Sequence, residues 1–189
     1  MPYVIKSFEK FCGYNNCNLK IYDALIDDNI HPSWNKLLVL KELIKRYDIV
    51  LWADADSLFT GKSENFLIYN NFDSASNFMV SSDTNGVCLG YILINNSNYN
   101  LQLIDTMLLL KDVKNDNFFG DGPKWEQNTF KALNLHFNIK YQIFKSDVSV
   151  DVDCVKDKDS TFFYHYCCKT NEERLKYIKR DFENLYKLG

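Results

Sequence analysis

The chain has 189 residues, of which 46% are hydrophobic, and a formal net charge of −3. That is enough for one domain with a real core, and it argues against disorder and against the basic face that nucleic acid requires. No uninterrupted apolar stretch is long enough to cross a bilayer, and Met1-Pro2-Tyr3-Val4 is not a signal peptide, so the expectation is a soluble, cytoplasmic, single-domain protein over 1–189. The cysteines at 12, 17, 88, 154, 167 and 168 lack zinc-finger spacing and are expected as buried free thiols. Asn95-Asn96-Ser97 is a glycosylation sequon without a secretory context.

In chain order, residues 3–14 predict a helix with Tyr3, Phe8, Phe11 and Cys12 toward one face, and residues 19–22 a short strand. A second helix is expected from Pro32 to about Tyr47, capped by Ser33 and carrying Trp34, Leu37, Leu38, Leu40, Ile44 and Tyr47 as an apolar stripe. The next strand, 48–53, ends in Asp54-Ala55-Asp56. A helical turn at 66–69, a strand at 78–80 and a buried strand at 87–94 carrying Gly90 follow. Then come helices at 101–110 and 123–133, the latter with Pro123 in its first turn. Strands at 139–144 and 162–166 and a closing amphipathic helix at 172–188 complete the order, with 146–160 read as a polar loop. Strands alternating with helices predict a layered α/β domain with a mixed, mainly parallel sheet.

Asp54 and Asp56 carry the chemistry. They follow Ile49, Val50, Leu51 and Trp52, a run that reads as a buried strand of a parallel sheet. Ligands of open α/β sheets bind past the carboxyl ends of the strands. Two carboxylates there repel unless a cation or proton lies between them. Their hard oxygens suit Mg²⁺ or Mn²⁺, ions that complete their shells with substrate phosphates. Asp151-Val152-Asp153 and Asp157-Lys158-Asp159 repeat the spacing without a strand and read as solvated loop.

Around this pair lies an ordered set of motifs: His31-Pro32-Ser33-Trp34-Asn35-Lys36, Asp54-Ala55-Asp56, the Gly86–Asn96 strand, Trp125-Glu126-Gln127 and His165-Tyr166. The succession resembles the family of retaining galactosyl-, mannosyl- and xylosyltransferases, which have a GT-A fold and act from nucleotide sugars. The resemblance covers about Val4 to Lys169. It implies a GT-A-like domain that moves a hexose or pentose from a nucleotide-diphosphate sugar, UDP favoured, to a glycan or other hydroxyl acceptor. It assigns Asp54, Asp56 and His165 to Mn²⁺ or Mg²⁺, and Asp54, Asp56, Lys36, Gly90 and Lys169 to the donor, Gly90 by letting a sugar approach its strand. Glu126 and Gln127 are placed beside the transferred sugar, where either would stabilise oxocarbenium-like charge. Trp125 is either an acceptor platform or core, and Trp34 is core.

Three departures from the family pattern stand out. Cys88 occupies the place of an asparagine, and Cys167-Cys168 that of a glycine after the late histidine. The third is at the N-terminus, where the first element already reads as the helix after the first central strand; Met1-Pro2 cannot supply that strand. The expectation is a gap beside the 48–53 strand. Two other readings compete. One is a sugar- or nucleotide-binding remnant of the same fold without turnover. The other is a haloacid-dehalogenase-like phosphatase with Asp54 as nucleophile and Gly120-Asp121-Gly122 as its later metal segment, disfavoured by Leu58 and by the poor strand character of 114–119.

Overall fold

A computed structural model describes residues 2–61, 66, 78–83, 86–113, 125–144, 149–151, 161–167 and 169–186. Helix α1 (Pro2–Asn15) buries Val4, Ser7, Phe8 and Phe11, a single face at helical spacing. Asn16 then takes a left-handed conformation, φ 50°, and the helix stops. Residues 19–22 were expected as a strand and form none. Their apolar side chains wall a groove instead of facing a partner strand, so no ladder forms.

Helix α2 (Pro32–Leu43) is shorter than expected and has a different cap. The Nδ1 of His31, rather than the Ser33 hydroxyl, accepts from the Ser33 backbone N–H at 3.3 Å. Past Leu43 the bonds include Arg46 N–H to the Leu43 carbonyl, a tighter turn that ends the α-helix before Tyr47.

The main sheet has the order β1-β4-β3-β5, from β1 (Ile49–Ala53), β3 (Phe78–Asp83), β4 (Gly86–Asn95) and β5 (Gln142–Ile143). A second sheet, β2-β7-β6, contains β2 (Ser57–Phe59), β6 (Ser149–Asp151) and β7 (Phe163–His165). The sheets are mixed, as expected, but not mainly parallel. β1–β4, β3–β4 and β2–β7 are antiparallel, while β3–β5 and β6–β7 are parallel. The physical reason is the tight β3–β4 hairpin, which turns β4 back between β3 and β1. β2 was not foreseen, since three residues carry too little alternation to register. Asp151 lies in β6 opposite His165 rather than in a loop. Asp153, Asp157 and Asp159, the 67–69 part of the helical turn, Pro123, the 114–119 segment and Gly120-Asp121-Gly122 lie outside the described residues.

β4 is buried from Val87 to Ile94 and separates two apolar clusters. On one face Trp34, Leu37, Leu40, Met107 and Phe130 bring together α2, α3 (Asn98–Leu110) and α4 (Glu126–Phe137). On the other, Phe8, Phe11, Phe59, Tyr91 and Phe163 join α1 to the second sheet. There Phe11 meets Phe59 edge-on at 5.1 Å and Phe8 stacks on Phe163 at 5.9 Å. Helix α5 (Asn171–Leu185) closes the chain behind a capping box of Thr170 and Glu173. Of the cysteines described, Cys88 is buried as expected, but Cys12 and Cys167 are half-buried and Cys17 is exposed, all as free thiols.

Candidate active site

The chain passes from one sheet to the other between Ala53 and Ser57, and Asp54 and Asp56 sit on that crossing. Asp54 donates its N–H to the Gly90 carbonyl on β4 at 2.9 Å. The Asp56 carbonyl accepts from Tyr166 N–H, just past β7, at 2.9 Å. Each backbone is thus pinned to a different sheet, and the carboxylates face the seam between them. The ligating atoms of Asp54, Asp56 and His165 lie within 4.8 Å of one another. Octahedral bonds of about 2.1 Å place ligand atoms roughly 3.0–4.2 Å apart, so small side-chain rotations would let the three share one cation.

Each member already has protein partners. Lys36, from α2, puts its Nζ 3.0 Å from Asp54 Oδ1, 3.0 Å from Glu126 Oε1 and 3.1 Å from the Leu89 carbonyl. It was expected to face the site rather than solvent, and the structure places it there, 7% exposed. Burial alone would strip its proton, but the Asp54 carboxylate, and next that of Glu126, outweigh this and lift its pKa above the ordinary lysine value. Trp52 Nε1 donates to Asp54 Oδ1 at 2.6 Å. His165 Nε2 lies 3.3 Å from Asp56 Oδ1. Burial opposes the charge on His165, yet the bond to Asp56, reinforced by Cys167 and Cys88, raises its pKa well above the usual imidazole value. Burial pushes Asp56 upward, but the hydrogen bond from His165, its charge and that of Arg174 hold it below the carboxylate norm.

Arg174 was missed. Its Nε lies 3.3 Å from Asp56 Oδ2, and the guanidinium also donates to the Tyr166 and Lys169 carbonyls. Read in sequence it is one more cation of the closing helix, and nothing local connects it to residue 56. Lys169, expected at the diphosphate, has its Nζ 6.0 Å from the Tyr177 ring centroid.

Glu126 and Gln127 divide. Gln127 Oε1 accepts from the Leu89 N–H at 3.1 Å, which ties α4 to β4. Glu126 is 4% exposed; Oε1 meets Lys36, while Oε2 is buried without a hydrogen-bond partner among the described residues. A buried carboxylate oxygen left unpaired is costly, which sets Glu126 apart from the other acidic side chains of the site. Trp125 is not core: it is 48% exposed and stacks on His31 with centroids 5.2 Å apart. Gly90 is needed at its position, though by a protein group. A Cβ there would lie 2.5 Å from His165 Cε1 and 2.8 Å from Nε2. Cys88, at the asparagine position of the resemblance, has its Sγ 3.7 Å from His165 Nδ1.

The sequence matches no protein-family model and no curated protein. Solved structures do match. A glycosyltransferase involved in the glycosylation of the major capsid of PBCV-1 superimposes with a TM-score of 0.72 over 95% of this chain and 91% of its own, at 12% identity. This is a glycosyltransferase fold. A second such structure, the glycosyltransferase GlyE of Streptococcus pneumoniae TIGR4, gives a TM-score of 0.63 at 15% identity, over 97% of this chain and 59% of its own. No helix among the described residues is long and apolar enough to cross a membrane.

Proposed function

We propose that this chain is a metal-dependent glycosyltransferase that moves a hexose or pentose from a nucleotide-diphosphate sugar, a UDP-sugar by preference, to a glycan hydroxyl, with retention at the anomeric carbon. The observation that carries the reading is the convergence of Asp54, Asp56 and His165 at the crossing between the two sheets of a glycosyltransferase fold. The donor set fits a hard divalent cation, Mn²⁺ or Mg²⁺: two carboxylates and one imidazole, with positions left for water and phosphate oxygens. Such a cation supplies positive charge to the diphosphate as the glycosidic bond breaks. The side chains do the rest. Lys36 holds Asp54 in place, and it grips Glu126 by one oxygen. The other oxygen of Glu126 is buried and unpaired among the described residues, and it is the group assigned to the oxocarbenium-like charge once a bound sugar opens its surroundings. Arg174, which contacts Asp56, and Lys169, by the family resemblance, are assigned to the departing diphosphate. The exposed Trp125–His31 stack is the platform for the acceptor sugar. The specific kinship with the galactosyl-, mannosyl- and xylosyltransferases belongs to the same proposal, supported by the motif order.

Calorimetry with a panel of nucleotide sugars and Mn²⁺ tests this. One donor is expected to bind only with the metal, and Asp56→Ala to remove that binding while the circular dichroism spectrum is kept. Robust hydrolysis of p-nitrophenyl phosphate that disappears in Asp54→Asn would replace the proposal with the phosphatase reading.

A further inference from the structure

Helix α1 ends in a turn that pairs two cysteines. Its last residue is Asn15, and Asn16 follows in the left-handed conformation, φ 50°. The Cys17 N–H then donates back to the Cys12 carbonyl at 3.1 Å. This is the longer of the two bonds of a Schellman helix end, a motif that frequently sets the side chains at its two ends in apolar contact. Here both of those side chains are thiols, and the structure pairs them in a side-chain hydrogen bond. An N–Cα bond is about 1.46 Å, and a carbonyl oxygen lies about 2.4 Å from its own Cα. The 3.1 Å backbone bond therefore keeps the two Cα atoms within about 7 Å, the limit beyond which two cysteines cannot be bridged. The turn is also held from the core side. Asn15 Nδ2 donates to the Phe11 carbonyl at 3.0 Å, and Asn15 Oδ1 accepts from the N–H of the buried Phe66 at 2.9 Å.

We propose that Cys12 and Cys17 are a redox-active pair, which closes to a disulfide by exchange with glutathione disulfide and which the folded end of α1 preorganises for that closure. None of the candidate active-site residues takes part. Cys17 is exposed and Cys12 half-buried. Burial, and next the bond to Cys17, push the Cys12 thiol up to about 12; the charge of Cys17 adds to this, so Cys17 is the first to ionise. Burial raises Cys17 as well, against a hydrogen bond from Cys12 that lowers it. The exposed Cys17 thiolate attacks one sulfur of glutathione disulfide, forms a mixed disulfide and releases a glutathione thiolate. Cys12 then gives its proton to solvent and attacks the Cys17 sulfur, which releases the second glutathione thiolate. The protein pair loses two electrons and two protons, and the glutathione disulfide is reduced to two glutathione molecules. The new bond fastens the end of α1 to residues 17–22, which have no regular structure of their own.

Trypsin cuts after Lys10 and Lys20, so both cysteines fall in one peptide, residues 11–20. The full chain is equilibrated in glutathione redox buffers, quenched in acid, alkylated, digested and weighed by mass spectrometry. With glutathione disulfide, that peptide is expected to be lighter by two hydrogens and to carry no alkyl group; excess reduced glutathione should restore alkylation at both cysteines. At a fixed concentration of reduced glutathione, half-oxidation of the native chain should need roughly tenfold less glutathione disulfide than in concentrated guanidinium, because only the native helix end holds the thiols together. A peptide alkylated at both cysteines in every buffer overturns the proposal. So does a stable glutathione adduct on Cys17 beside an alkylated Cys12. Equal half-oxidation points in the two media also overturn it, since the fold would then bring the thiols no closer than the unfolded chain does.

Discussion

Replacing Gly90 by alanine should disturb the candidate metal site through a single contact. The added methyl would lie 2.5 Å from Cε1, 2.8 Å from Nε2 and 3.0 Å from Nδ1 of His165, all far inside ordinary carbon contact. The ring is 6% exposed and cannot swing into solvent, and β4 is an inner strand paired on both sides, so neither side yields easily. Overpacking of this kind costs about 1–3 kcal/mol. If the ring shifts to relieve it, the 3.3 Å contact with Asp56 is lost, and a hydrogen bond to a charged group is worth about 1.5–3 kcal/mol. Since domains are stable by roughly 5–15 kcal/mol, the variant should fold, with a lower urea midpoint and weaker Mn²⁺ binding. A double-mutant cycle with His165→Ala isolates the cause. With the ring removed, Gly90→Ala should cost almost nothing, leaving a coupling of about 1–3 kcal/mol. Equal penalties in both backgrounds would refute the reasoning, because the cost would then lie in the β4 backbone rather than in the ring.

Two further outcomes follow from the charges. Lys36→Met should destabilise the domain by about 3–5 kcal/mol, the usual cost of leaving buried charges unpaired, and adding Glu126→Gln should recover part of it in a urea melt; no recovery would mean that Lys36 matters by packing alone. His165, whose folded pKa is raised well above the usual value, stabilises the metal-free protein through Asp56 at low pH and loses that contribution as pH rises through its folded pKa. A cation must displace the same proton, so Mn²⁺ should bind more tightly as pH rises, with proton release visible as a buffer-dependent heat in calorimetry near pH 7; identical heats in buffers of different ionisation enthalpy would contradict this.

Much of this arrangement is written in local pattern. The apolar run at 49–52 followed by Asp54 and Asp56 predicts a strand opening onto a site, and the strand is there because β propensity and burial act over a few adjacent residues. The stripes of α1 and α2, the long buried β4 and the burial of Trp34 are legible for the same reason. Periodicity also shows the helical character of α1 from its first residues.

Tertiary structure alone decided the rest. Periodicity reports which face of an element is apolar and says nothing of which distant side chain fills the space opposite. Arg174 reaches Asp56 only because the chain re-enters the site after β7 and α5 starts beside it. Gln127 braces α4 against β4, because α4 happens to place its Oε1 against the Leu89 N–H. Gly90 makes room for His165, a residue seventy-five positions later by subtraction of their numbers. Residues 19–22 have strand composition but no strand, since a strand is a pairing, and the partner across the groove is the one thing a local pattern cannot supply.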